Sequence, residues 1–257
     1  MALEESPSPN AAANDVGPDV PSIAVAAVPD GSTSNHGEPI PIYRTRIPPA
    51  ATLRYAIKRG AALGSGELQW RPRADGYTLR FETAVDGVPA TSQSSEGGFD
   101  VAGLAPVRFL DRRTRRAALS TNFRRAEGQV SFSGSGRQLA LVQGAQDRLS
   151  WMIQLAAAVA AQASPCAADG RVVLPVVGLK GEADVWTFRC APHDGPDALT
   201  GTPDALRLVR EGAGPYDLDL EVWLDPARHF LPVRVTLSNG VPGQRQEFEL
   251  TEFVPAP

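Results

Sequence analysis

Residues that commonly carry acid–base or nucleophilic chemistry are sparse in this chain. Its three histidines, His36, His193 and His229, fall in the N-terminal segment, a loop and a hairpin turn. No serine or cysteine has a partner that the sequence places beside it. Ser135 lies between two glycines in part of a GxSxG pattern, but without a strand-to-helix elbow it is predicted to lie in a turn. The sequence therefore predicts no catalytic centre, no cofactor and no enzyme.

Three carboxylates, Asp217, Asp219 and Glu221, alternate along one predicted strand and so share a face. Their oxygens are ligands of the kind that calcium prefers. More often such a row is a solvated face opposed by basic residues, and we prefer that interpretation. No metal site is predicted, because no cluster of cysteine and histidine has the spacing of a zinc site.

The strongest local charge asymmetry is a run of seven arginines against the single Asp111, between residues 108 and 125. Guanidinium groups pair well with phosphate and carboxylate, so one interpretation of the run is contact with anionic lipid head groups or an acidic partner. The other, which we prefer on the sequence alone, is a set of exposed strand ends whose charge prevents aggregation. The candidate ligand or partner contacts here are Arg112, Arg113, Arg115 and Arg116.

All four tryptophans lie on predicted strands or on the predicted helix. Large aromatic side chains either line a ligand cavity or fill a core, and both interpretations stay open. We take Trp151 and Trp223 as the candidate contacts for an apolar ligand.

The two cysteines precede and end consecutive predicted strands. A hairpin turning near residues 180–182 would bring Cys166 and Cys190 together as a disulfide, and closing a loop of this length contributes about 3 kcal/mol. The alternative is a pair of half-buried thiols, and the sequence does not decide between them.

The elements that must position these residues are mostly strands. The segment 216–237 has the period-two alternation of a long antiparallel hairpin, with a turn at Asp225 and Pro226. Asp75-Gly76 and Asp86-Gly87 are further hairpin turns. The whole chain after residue 50 predicts roughly a dozen strands.

One segment has helical spacing instead. Residues 147–163 are rich in Ala, Leu, Met and Gln, with Asp147 as the predicted N-cap and Ser164-Pro165 as the end. A single apolar helix among many strands packs against the concave face of a curved sheet or plugs the mouth of a barrel.

Composition bounds the remaining possibilities. Residues 1–48, rich in Ala, Pro, Ser, Asp and Gly, predict a disordered tether before an antiparallel β domain at 49–257. The chain has 25 basic and 29 acidic residues, a net charge of −4 that argues against nucleic acid as a partner. No apolar run is long enough for a transmembrane segment, and no export signal is visible.

The segments GAQDRLSWMIQLAA, ADVWTF and YDLDLEVWLDPARHFLPVRVTL resemble the bacterial domain-of-unknown-function 3108 family over about residues 51–253. Its signature here is Val222-Trp223-Leu224 followed by Leu231-Pro232-Val233. The resemblance implies an exported, periplasmic or envelope-associated protein of Gram-negative bacteria. Members often have an N-terminal membrane segment and a Pro-rich linker, and only the linker is present here. The resemblance also implies a fold similar to periplasmic lipid and lipoprotein carriers, and it supplies no catalytic residues.

These observations predict a mainly β fold, a curved antiparallel sheet or an open or half-closed barrel with one packed helix. The leading functional hypothesis is a non-enzymatic envelope protein that holds an apolar ligand such as an acyl chain in the curved sheet. The alternatives are an interaction scaffold with a filled core, binding another envelope protein, and a hydrolase with an unrecognised site.

Overall fold

The computed structural model describes residues 40–88, 90–162, 166, 170–192, 202–212, 214, 217–241 and 243–256. The strands in the first half of the chain are β1 Ala51–Arg59, β2 Ala62–Arg73, β3 Gly76–Val85, β4 Thr91–Asp100, β5 Gly103–Arg113, β6 Leu119–Arg124, β7 Gln129–Phe132, β8 Gln138–Ala140 and β9 Gln146–Asp147. The helix α1 Trp151–Ala160 follows. The later strands are β10 Arg171–Val177, β11 Ala183–Cys190, β12 Leu206–Arg210, β13 Asp219–Asp225, β14 Leu231–Ser238 and β15 Gln246–Pro255, with a 3₁₀ turn at Pro226–Arg228.

All fifteen strands form one sheet, in the order β8-β7-β6-β5-β4-β3-β2-β1-β15-β14-β13-β12-β11-β10-β9. Every pairing is antiparallel except that of β9 with β10. The two edge strands, β8 and β9, are joined by only the five residues 141–145, so the edges lie within about 20 Å of each other. The sheet therefore curls into a half-closed barrel, and the predicted fold class is confirmed.

Period-two alternation explains which side chains enter this barrel. On β1, Leu53, Tyr55 and Ile57 are buried, whereas Arg54 and Lys58 are exposed. The same alternation forms the predicted hairpin, in which β13 pairs with β14 throughout. The side chain of Asp225 accepts a hydrogen bond from the backbone N–H of Ala227 at 2.8 Å and begins the 3₁₀ turn.

The helix is shorter than the sequence predicts at both ends. Asp147 lies in β9, and Ser150 is the N-cap. The carboxylate of Asp147 instead accepts from the backbone N–H groups of Leu149 and Ser150, a local turn that delays the helix. The predicted end at Ser164-Pro165 lies outside the described residues.

The interior of the half-closed barrel contains α1. All ten of its residues are buried, and it contacts β5, β9, β10 and β14. Trp151, at its first position, stacks on Phe188 with ring centroids 5.5 Å apart. Trp70 and Trp186 belong to the same core. The helix therefore fills much of the space that a ligand in the curved sheet would occupy.

A second apolar cluster joins the two edges of the sheet, and we call it the seam. It consists of Phe123 on β6, Val130 and Phe132 on β7, Val177 on β10, and Ala145 in the connection between β8 and β9. Next to it, the hydroxyl of Thr121 donates to the carbonyl of Gly178 at 2.5 Å. Side chains rather than a strand ladder thus hold the edges together.

The stretch before β1 packs on the domain. The backbone N–H of Val173 donates to the hydroxyl of Tyr43 at 2.9 Å, and that of Arg46 donates to the carbonyl of Ala157 at 2.9 Å. Part of the predicted tether, residues 43–48, thus contacts the domain, while residues 1–39 lie outside the described ones.

Candidate functional site

Exposed arginines from three strands share the convex outer surface of the barrel. On β4, Ser94 lies opposite Arg80 of β3 on one side and Leu110 of β5 on the other. Two residues from Leu110 and on the same face, Arg108 lies opposite Asn122 of β6. The register therefore places these positions on one face of the sheet. We call the exposed arginines of this surface the arginine face: Arg80 on β3, Arg108 and Arg112 on β5, and Arg124 on β6.

The guanidinium groups of the arginine face lack carboxylate partners among the described residues. Within the part of the chain that the structure describes, none of its four guanidinium groups forms an ion pair, although Glu96 lies opposite Arg108 in the register. Some arginines on the other half of the sheet are paired, although the exposed Arg189 on β11 has no ion pair among the described residues either. Arg54 contacts two glutamates, at 2.9 and 2.5 Å, and Arg207 contacts Glu221 at 3.0 Å.

The four arginines singled out from the sequence lie together, but only one of them belongs to this face. Arg112 is exposed on it. Arg113 is half-buried, with its Nε 3.2 Å from Asp111, while Arg115 and Arg116 lie in the exposed turn after β5. Sequence reasoning missed Arg80, because its nearness to β5 depends on the order of strands rather than on a run of charges.

A chain of buried polar groups lies where β9 meets α1. The Ser95 hydroxyl donates to the Asp147 carboxylate at 2.5 Å, and the Tyr77 and Ser95 hydroxyls are 3.0 Å apart. Burial raises the pKa of Asp147 to about 6, although hydrogen bonds from Ser95 and Ser150 act to lower it. Burial also raises the pKa of Tyr77 well above its ordinary value.

This polar chain could in principle move a proton, but solvent does not reach its atoms. Tyr77 is 3% exposed, Ser95 1% and Asp147 0%. The arrangement therefore connects β3 and β4 to the turn that precedes α1. Sequence reasoning took Asp147 as a simple cap, since its distant partner Ser95 lies on β4 and no local pattern marks it.

The two tryptophans chosen as ligand contacts lie on opposite sides of the sheet. Trp151 is in the interior, and its indole N–H has no partner among the described residues. Trp223 belongs to an outer cluster with Ala205 and Val233, and its N–H donates to Glu221 at 2.9 Å. The structure does not bring them into one cavity.

The carboxylate row is opposed by basic residues. Arg210 contacts Asp217 at 2.9 Å, and Arg207 contacts Glu221. Burial acts to raise the pKa of Glu221, but hydrogen bonds from Arg207 and Trp223 outweigh it and hold that pKa below its usual range. Among the described residues, no three potential ligands are grouped as a metal site requires.

An open groove of about 450 Å³ lies outside the core. It is lined by Leu63, Gly64, Ser65, Ala84, Val85, Asp86 and Val88, where β2 begins and β3 ends. Its mixed polar and apolar lining and its wide opening give little enclosure for a ligand.

The sulfur atoms of Cys166 and Cys190 are bonded at 1.98 Å, with Cα atoms 5.4 Å apart. The bond links the end of β11 to the segment between α1 and β10. In the described part of the chain, no helix has the length and apolar character needed to cross a bilayer.

No protein-family model matches this chain, and no curated protein does, so the resemblance to the domain-of-unknown-function 3108 family is not confirmed. Among solved structures, a β-barrel-like protein of the domain of unknown function DUF1849 from Brucella abortus is similar, with a TM-score of 0.53 and 13% identity over 82% of this chain and 99% of that one. The Pseudomonas aeruginosa MucA/MucB complex gives a TM-score of only 0.30 and 15% identity, over 80% of this chain and 53% of that one. The Brucella protein shows a shared β-barrel-like fold and nothing about function, and the lower similarity carries no inference.

Proposed function

We propose that this protein is a non-enzymatic cell-envelope protein that acts as an interaction scaffold and binds an acidic partner protein through the arginine face. The observation that carries the proposal is the set of four exposed guanidinium groups on one surface, without ion pairs in the described part of the chain. Guanidinium groups bind carboxylates with two parallel hydrogen bonds, so such a surface favours a carboxylate-rich partner.

The contents of the barrel favour a scaffold over a carrier of acyl chains. A ligand site of that kind needs an enclosed apolar cavity. Here α1 lies inside the curved sheet, and its ten residues are 0–8% exposed. The expectation of an apolar ligand in the curved sheet is therefore the less favoured function.

Two features support the remaining parts of the proposal. The Cys166–Cys190 disulfide fits an oxidising compartment such as the periplasm. The buried polar chain around Ser95 and Asp147 is closed to solvent, which favours binding over catalysis at this position.

The proposal is tested by the binding of a fluorescent polyglutamate peptide, measured by anisotropy at low salt. The variant combines Arg80→Gln, Arg108→Gln, Arg112→Gln and Arg124→Gln. The control removes the same number of exposed cations elsewhere, by Lys58→Gln, Arg73→Gln, Lys180→Gln and Arg189→Gln. We expect the first variant to weaken binding about tenfold or more and the control to change it about twofold or less.

Equal losses of peptide affinity in the two variants would show that binding depends on net charge alone and would overturn the proposed binding surface. If the protein bound phosphatidylglycerol vesicles but not the peptide, the partner of the arginine face would be a lipid surface and not an acidic protein. Native mass spectrometry tests the carrier of acyl chains. A mass above that of the chain, lost on denaturation, together with a lipid extracted into organic solvent, would favour the carrier over the scaffold.

A further inference from the structure

The charges of this chain are divided unevenly along its length. Six of its 29 acidic residues, and none of its 25 basic residues, precede residue 40. The remainder therefore has 25 basic and 23 acidic side chains, a small positive excess that the overall charge of −4 conceals. The six are Glu4, Glu5, Asp15, Asp19, Asp30 and Glu38, and we call residues 4–38 the acidic segment.

We infer that the acidic segment binds the arginine face of its own chain and competes there with the acidic partner. The inference rests on the proposed function, since it gives the same surface an internal ligand. Charge complementarity carries it, because the segment has only carboxylates and the face has arginines with no ion pair among the described residues.

The place where the segment joins the domain makes this contact easy to reach. A methyl carbon of Thr45 lies 2.8 Å from the position of a Cβ on Gly103, the first residue of β5. Arg108 and Arg112 are farther along that strand, within about 30 Å of its start. A ligand attached at such a distance has an effective concentration of about a millimolar, so even weak ion pairs would occupy the face.

The consequence is a binding surface that is partly covered at low ionic strength. A partner must then displace the segment, and its apparent affinity is lower than the affinity of the bare face. Because the contact consists of exposed ion pairs, salt weakens it.

The inference is tested in the full chain by distances between two spin labels, one at Ser22→Cys and one at Thr114→Cys beside the arginine face. The two native cysteines are held in the disulfide and do not react with the label. At low salt we expect a short, narrow distance distribution. It should become long and broad at about 0.5 M salt, where the Debye length is about 4 Å.

Two variants separate this contact from general compaction. One variant replaces the six carboxylates of the acidic segment by their amides, and the other neutralises the four arginines of the arginine face. Each should broaden the distribution of label distances at low salt. A chain with both sets of changes should show no further broadening. The amide variant should also bind polyglutamate about fivefold more tightly than the wild-type chain. The inference would be overturned if the distance distribution were unchanged in the arginine variant, or if the combined variant broadened the distribution beyond either single variant.

The two proposals fail differently. If polyglutamate does not bind while the label distances respond to both variants, the face binds only its own segment and the proposed partner is wrong. If polyglutamate binds and the distances do not respond, the scaffold stands without the internal ligand.

Discussion

Asp147 is the buried ionisable residue whose environment gives the clearest dependence on pH. Its carboxyl group has a pKa of about 6 in the folded protein, against an ordinary value of 3.8. The folded state therefore binds the proton more tightly than the unfolded chain. This group favours folding below about pH 4, and that contribution is lost as the pH rises to about 6 and above.

We expect Asp147→Asn to remove this dependence. The amide oxygen can still accept from Leu149 and Ser150, and the amide nitrogen can donate to Ser95. A shift of about two pKa units corresponds to about 3 kcal/mol. The free energy of unfolding of the variant, relative to wild type, should therefore improve by about 3 kcal/mol between pH 4 and pH 7. Urea denaturation across that range measures it, and a constant difference would contradict the prediction.

The connection between α1 and the turn before β5 depends on one side chain. Gln154 accepts from the backbone N–H of Leu104 at 2.8 Å and donates to the carbonyl of Ala102 at 2.6 Å. Between them, Gly103 has a φ of +105°, and a Cβ there would lie 2.4 Å from the Gln154 oxygen. Both the glutamine and the glycine are needed for this close approach.

We expect Gln154→Leu to destabilise the protein by about 3 kcal/mol, because it leaves two buried backbone groups without partners. The matched control is Gln162→Leu, since Gln162 is half-buried and makes one long bond of 3.3 Å to Ala158. The control should cost about 1 kcal/mol or less. Urea midpoints measure both, and similar losses in the two variants would argue against the role of Gln154.

At the level of elements, the sequence predicts what depends on local pattern. Alternation gives the strands and the β13–β14 hairpin, and the Ala-rich run gives α1, because each pattern reflects one buried face. The start of α1 is predicted wrongly, since Asp147 makes a turn whose other partner, Ser95, is on a strand far away in the chain. The sequence predicts the arginine face only in part, because Arg80 is brought close to the arginines of β5 by the order of strands in the sheet.

At the level of the whole molecule, the seam is where the curled sheet should open first. Its edge strands are short, β8 having three residues and β9 two, and the two edges are held together by side chains of β6, β7 and β10. Local opening follows the regions with the fewest buried contacts and backbone pairings.

We expect Phe132→Ala to increase hydrogen exchange in β6, β7 and β8 while the central strands β1 and β15 stay protected. The loss of this buried ring should cost about 3 kcal/mol. The comparison is Phe248→Ala on β15, which should lower protection throughout the sheet. Exchange followed by mass spectrometry distinguishes the two patterns, and equal loss of protection in all strands after Phe132→Ala would contradict a weak seam.

Strands β1 and β15 are neighbours in the sheet, which permits a circular permutation of the chain. Ala51 and Pro255 are partners in the sheet, so the first and last strands meet at its centre, while the sheet edges fall in the middle of the chain. A circular permutant that joins these ends and is opened within residues 141–145 would run through the fifteen strands in spatial order, with every strand next to its neighbour in sequence. It would have a lower contact order than the natural chain and should fold faster to the same barrel.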